Sequence, residues 1–113
     1  MINKTDERII SLMIEKVNRL IEIGTKYSEE EIKTNFILSD AIQYEFEKLY
    51  EDSQRLSIEI RIEHKGKLHI DDLRSIRNRV AHNYASVILK ILIDTIKNDI
   101  PILKNDLEEM LTK

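Results

Sequence analysis

A chain of 113 residues with 42% hydrophobic and 35% charged positions, two glycines and one proline holds enough apolar material for one core and too little loop former for a disordered protein. It has no cysteine, which excludes a disulfide framework and thiolate chemistry, and its net charge of −3 argues against a general nucleic-acid binder resting on many phosphate contacts. No apolar run approaches the roughly 20 residues of a membrane span, and MINKTDERII lacks the apolar segment of a signal peptide, so a single soluble, cytoplasmic domain over 1–113 is expected.

In chain order, the first helix is expected to start with Thr5 as its N-cap, with Asp6 and Glu7 in the first turn where carboxylates suit the helix dipole. Its stripe is Ile10, Met13, Ile14, Val17 and Ile21, and Gly24 reads as its stop. Ser28 to Glu31 forms a capping box that opens a short second helix through about Lys33. A long third helix follows from near Asn35 to about Glu63, because Ile42, Phe46, Leu49, Ser53, Leu56 and Ile60 repeat at spacings of 4, 3, 4, 3 and 4. Glu45, Glu47, Glu51 and Asp52 mostly read as its solvated face, and Tyr44, Phe46 and Tyr50 as helix packing.

His64-Lys65-Gly66-Lys67 breaks the pattern and reads as a loop. His64 and His69 have no Cys or paired carboxylate at ligand spacing, so no metal site is expected. Asp71 and Asp72 then open a fourth helix. The last helical region begins near Ala85 and lines up Ile88, Leu92, Ile96, Ile100, Leu103, Leu107 and Leu111, with Asp99-Ile100-Pro101 kinking or restarting it. Together the elements predict an all-α, up-and-down bundle of four to five helices.

Within this scaffold, Leu73 to Tyr84 (LRSIRNRVAHNY) concentrates the chemistry. On a helix, Leu73, Ile76 and Val80 make the core stripe, Asn78 and His82 stack four apart on nearly the opposite face, and Arg77 lies at the border. Arg77 and Tyr84, seven apart, share a line. An imidazole beside guanidinium groups is what acid–base chemistry on a phosphate requires; the competing reading is a solvated polar face. From Arg61 to His82, Arg61, Lys65, Lys67, Arg74, Arg77 and Arg79 stand against Glu63, Asp71 and Asp72, a local balance of +3 in a chain of −3. Such a patch suits a few phosphates of an RNA or nucleotide, or an acidic protein.

The spacing Arg77-x4-His82-x-Tyr84, with Asn78 directly after the arginine, resembles the RX4HXY signature of the HepT-like toxins of the HEPN superfamily, small all-α ribonucleases. Leu49 to Ser57 resembles that family's Ile-Gly-Glu…Leu-Ser stretch, and Asp99-Ile100-Pro101-Ile102-Leu103 its Asp-Leu-Pro-x-Leu. Two departures stand out: Tyr50 occupies a position where the family often has Gly, and Ile70 one where it often has Trp. The resemblance implies an HEPN-like bundle and a homodimer whose two motifs meet in a composite site. It implies a metal-independent endoribonuclease, without a cofactor, in which His82 is the base for an RNA 2′-hydroxyl. Arg77 would stabilise charge on the attacked phosphate, Asn78 would orient either group, and the product would be a 2′,3′-cyclic phosphate. Arg74 and Arg79 would add general attraction for RNA. Tyr84 would be the site at which a minimal nucleotidyltransferase (MNT) antitoxin attaches AMP. The alternative from another class is a non-catalytic helical partner of such a nucleotidyltransferase; related helical proteins in that role generally lack an intact Arg-x4-His motif.

Overall fold

The computed structural model describes residues 2–82 and 85–112, with the side chains of 85–87 left aside. Among these residues the chain is helical with no strand. Five long helices are α1 (Lys4–Lys26), α3 (Phe36–Arg55), α6 (Ile70–Ala81), α7 (Ala85–Asn98) and α8 (Ile100–Thr112); three short ones are α2 (Glu29–Thr34), α4 (Ile58–Glu63) and α5 (Lys65–Leu68). The expected all-α bundle is therefore present, with its four to five main helices supplemented by single turns at the connections.

Helix α1 starts two residues earlier than its sequence suggests. Asn3, not Thr5, is the N-cap, and its side-chain oxygen accepts the Asp6 N–H at 2.8 Å. Nor does α1 stop at Gly24; it runs to Lys26 and Tyr27 caps it. Gly24 is there for closeness: a Cβ on it would lie 2.6 Å from Ile96 Cγ2 of α7, so the lack of a side chain lets the two helices touch. The buried line of α1 runs through Ile10, Met13, Val17 and Leu20 at alternating spacings of 3 and 4, while Ile14 and Ile21 flank it half-buried. The capping box of α2 forms as expected, Ser28 Oγ accepting from Glu31 N–H and Glu31 accepting from Ser28 N–H.

The long third helix is two helices. Its seam is buried from Ile42 to Ile60, yet Leu56 and Ser57 take extended backbone (ψ 151° and 152°) and divide α3 from α4. The cause lies in α1. Asp6 Oδ1 accepts the Ser57 N–H at 2.9 Å and Asp6 Oδ2 accepts the Ser57 hydroxyl at 2.6 Å, so a donor that a continuous helix would use internally is bound across the bundle. Ser57 Oγ in turn caps α4 at Ile60 N–H. Ser53, the one polar residue of the seam, is fully buried and satisfied by donating to the Tyr50 carbonyl at 2.6 Å.

Pairing along the seam shows that α3 runs antiparallel to α1: Asp6 meets Ser57, Lys16 meets Asp52 at 2.7 Å, and Arg19 meets Glu45 at 3.0 Å. Glu45 and Asp52 are consequently buried and paired rather than part of the solvated face, while Tyr44 is exposed rather than packed. His64 to Lys67 is not a loop; Gly66 is helical, and the turn into α6 falls at His69, whose φ of 52° is the only positive one among described non-glycine residues. His69 Nε2 lies 2.8 Å from Asp106 Oδ2, and Lys67 pairs with Glu109, so two side chains tie this turn to α8. Pro101 sits in the first turn of α8, where its missing N–H costs nothing, so the last region is a restarted helix.

Candidate active site

Helix α6 builds the site. Leu73 and Ile76 are buried and Val80 half-buried, so the core stripe fixes the rotation of the helix, and Asp71 and Asp72 occupy its first turn. With that rotation set, Asn78 and His82 fall on the exposed face and Arg77 on the border, as the spacing predicts. His82 is the C-cap (φ −85°, ψ −6°), and its N–H still donates to the Asn78 carbonyl at 3.2 Å. The imidazole therefore stands one turn beyond the Asn78 amide, at the helix's exposed end. Tyr84 lies outside the described residues.

The arginines are organised by a residue of the neighbouring helix. Tyr50 of α3 is only 8% exposed, and its ring faces α6. The Arg77 guanidinium carbon stands 4.9 Å from the ring centroid and that of Arg74 stands 6.0 Å from it. A cation over an aromatic face is worth roughly 0.5–2 kcal/mol depending on exposure. Arg74 is further committed: its Nε donates to the Tyr50 hydroxyl at 3.2 Å and its Nη1 to Asp71 at 3.1 Å. The hydrogen bond to Tyr50 above all, supported by Asp71, holds the Arg74 guanidinium above its ordinary pKa.

Arg77 is held differently. Its Nε is buried without a hydrogen-bond partner, and among the described residues the side chain makes no ion pair. The ring contact fixes the group while its outer donors have no ion-pair partner among the described residues, a state suited to two oxygens of a phosphate. Arg79, two residues on, is exposed in the last turn. The structure thus places Arg77, Asn78 and His82 along one end of α6, with Arg74 a turn earlier.

Two features extend the site or bound it. A shallow groove of about 300 Å³ adjoins Arg74 and is lined by Ile58, Ile62 and Ile70 together with Gln54, Arg61, Lys65 and Asp71. Ile58 and Ile62 are well exposed on its wall. The other histidines do not join His82: His69 is engaged by Asp106, and His64 lies near Glu63 at 3.9 Å. Among the described residues no three His, Asp or Glu side chains are grouped to hold a metal, and no helix is long and apolar enough to cross a membrane.

Tyr50 is the participant whose importance the sequence reading missed. Its helical position predicts burial, but its contact with both arginines depends on how α6 packs on α3. The departure from glycine at this position is the one signal that could have drawn attention to it.

No solved structure matches this chain. Its sequence matches the family described as Ribonuclease HepT-like over residues 13–110, from the middle of α1 to the last turns of α8, with the whole of α6 inside the match. The chain belongs to the HepT-like ribonuclease family.

Proposed function

We propose that this chain is a metal-independent endoribonuclease toxin that cuts RNA at a composite site formed by two copies of the motif in a homodimer. The observation that carries the reading is the state of Arg77: a stacked guanidinium with no ion pair among the described residues, beside an exposed amide and imidazole at one helix end. His82 takes the proton of an RNA 2′-hydroxyl, and that oxygen attacks the adjacent phosphorus. The bond to the 5′-oxygen breaks, the leaving oxygen acquires a proton, and a 2′,3′-cyclic phosphate remains. Arg77 neutralises charge that builds on the non-bridging oxygens, and Asn78 orients the phosphate or the imidazole. Arg79 and Arg74 draw the RNA backbone in, Arg74 from a position fixed by its bonds to Tyr50 and Asp71.

Control falls to Tyr84, modified with AMP by an MNT-type nucleotidyltransferase antitoxin. A phosphate attached there brings negative charge two residues from His82 and competes with RNA for the arginines. Purified protein incubated with labelled RNA in EDTA should leave cyclic-phosphate ends, and an all-deoxy strand of the same sequence should survive because it lacks the attacking hydroxyl. Loss of RNA cleavage after addition of the antitoxin and ATP, with an AMP mass increment that Tyr84→Phe abolishes, supports the control step. Absence of cleavage by protein whose intact mass shows no modification would replace this reading with that of a non-catalytic nucleotidyltransferase partner.

A further inference from the structure

We propose that Tyr50 is the positioning residue of this site: its ring sets the plane of the Arg77 guanidinium, and its hydroxyl holds Arg74 as a separate, substrate-binding cation. The inference rests on the ribonuclease reading above and assigns a division of labour within it.

Three observations carry it. The ring lies under two arginines one helical turn apart, 4.9 Å from Arg77 and 6.0 Å from Arg74. The Arg77 Nε is buried with no hydrogen-bond partner, so no acceptor fixes that end of the group and the aromatic face is the contact that orients it. The hydroxyl is taken by Arg74 Nε at 3.2 Å, and Asp71 completes the hold on that side chain. One aromatic residue therefore gives two arginines different states. Arg77 is oriented and has no ion-pair partner among the described residues, whereas Arg74 is anchored by hydrogen bonds.

Position 50 is mostly buried and belongs to the same hydrophobic core as Phe46 and Leu49, so the ring is itself held by the core. Its placement follows from the register of α3 against α6 and not from a mobile loop. A residue without a ring at this position would leave the Arg77 Nε with neither acceptor nor platform among the described residues, and rotamer freedom of a long side chain would blur its aim. Misplacement of about 1 Å in a catalytic group is sufficient for about a 100-fold loss of rate.

The test compares the parent with Tyr50→Phe, Tyr50→Leu and Tyr50→Met by steady-state RNA cleavage, thermal melting and NMR of the arginine side chains. Tyr50→Leu should lower kcat about 10- to 100-fold with KM little changed, because the phosphate is still bound but its charge is poorly met. Tyr50→Phe should recover most of kcat while KM rises several-fold, since the ring remains and the Arg74 anchor is lost. A structural role alone would not separate the two constants in this way. Tyr50→Met keeps apolar volume and replaces the Leu variant if that one melts much earlier than the parent.

The NMR arm does not depend on activity. The Arg77 guanidinium resonances should carry a ring-current shift in the parent and the Phe variant and lose it in the Leu and Met variants. If that pattern is present but the parent cuts no RNA, the ribonuclease reading fails and the stacking stands. Absence of the shift in the parent, or Leu and Met variants that turn over at the parental rate, overturns the role of Tyr50.

Discussion

Helix α3 packs charged residues against two neighbours in opposite ways. Toward α1, the buried carboxylates are paired: Asp6 binds Ser57, Glu45 binds Arg19, and Asp52 forms ion pairs with Lys16 and Arg55. Toward α6, the cations outnumber their partners, and Arg77 rests on an aromatic ring with no ion pair among the described residues. A buried charge that is matched contributes to holding and registering the fold, and one partner's removal is costly. A guanidinium that is oriented yet unmatched adds little to folding and is available to an outside anion. The first seam is architecture, and the second is where the ribonuclease reading places its chemistry.

The largest effect that would break this contrast is on activity. Arg77→Ala should reduce RNA cleavage by about 100- to 1,000-fold, the usual cost of removing one donor to a developing oxyanion. Its melting temperature should fall by only a few degrees, the cost of the lost contact with the Tyr50 ring, because no ion pair among the described residues is broken. A collapse of stability with proportionate loss of activity would show that Arg77 is a fold residue like those of the other seam.

The complementary change is Lys16→Met. It leaves Asp52 buried with Arg55 alone, and denaturant unfolding should show a loss of about 3 kcal/mol, while turnover of the folded fraction stays near parental. Replacing Asp52 by Leu in the same chain should recover part of that loss, since an apolar pair of similar volume removes the unmatched charge.

Gly24→Ala probes the packing that supports both seams. The new methyl collides with Ile96 Cγ2, a stiff β-branched group in the core. Overpacking costs about 1–3 kcal/mol and the gain in helix propensity offsets up to about 1 kcal/mol, so a net destabilisation near 1 kcal/mol is expected from chemical denaturation.

The smallest effect is a pH dependence at α2. The Ser28 backbone N–H, followed by the Ser28 side chain, holds the Glu31 carboxyl below its ordinary value of 4.5. A lowered carboxyl contributes stability above its unfolded pKa and loses it as pH falls through the folded one. The stability difference between the parent and Glu31→Gln should therefore be present at neutral pH and shrink as pH drops below the usual glutamate range. A difference that grows in acid would contradict the capping geometry.

These predictions also mark what the sequence could tell. The rotation of α6 was legible because Leu73, Ile76 and Val80 fix a core stripe, and everything on the opposite face follows from angles; hence Asn78 and His82 are exposed and Arg77 is on the border. The division between α3 and α4 was not legible, since the apolar spacing runs straight through Leu56 and the break comes from Asp6, 51 residues from Ser57 in the chain. Gly24 looks like a helix stop because glycine usually is one, and its real reason, contact with Ile96, depends on α7. Gly66 misled in the same way: the chain turns at His69, held by Asp106 of α8. Tyr50 reads as packing from its own helix and acquires its second role only when α6 is laid beside it. On α6 local pattern determined which face each residue occupies; on α3, where Glu45 and Asp52 are buried and Tyr44 is exposed, contacts between helices determined which charges were matched.

The most direct test of the central claim is cleavage of one labelled RNA in EDTA by the parent, Arg77→Ala and His82→Ala proteins at equal folded concentration. The account predicts 2′,3′-cyclic phosphate ends from the parent and their disappearance in both variants, with both variants folded at the assay temperature. Equal cleavage by the parent and both variants would contradict it.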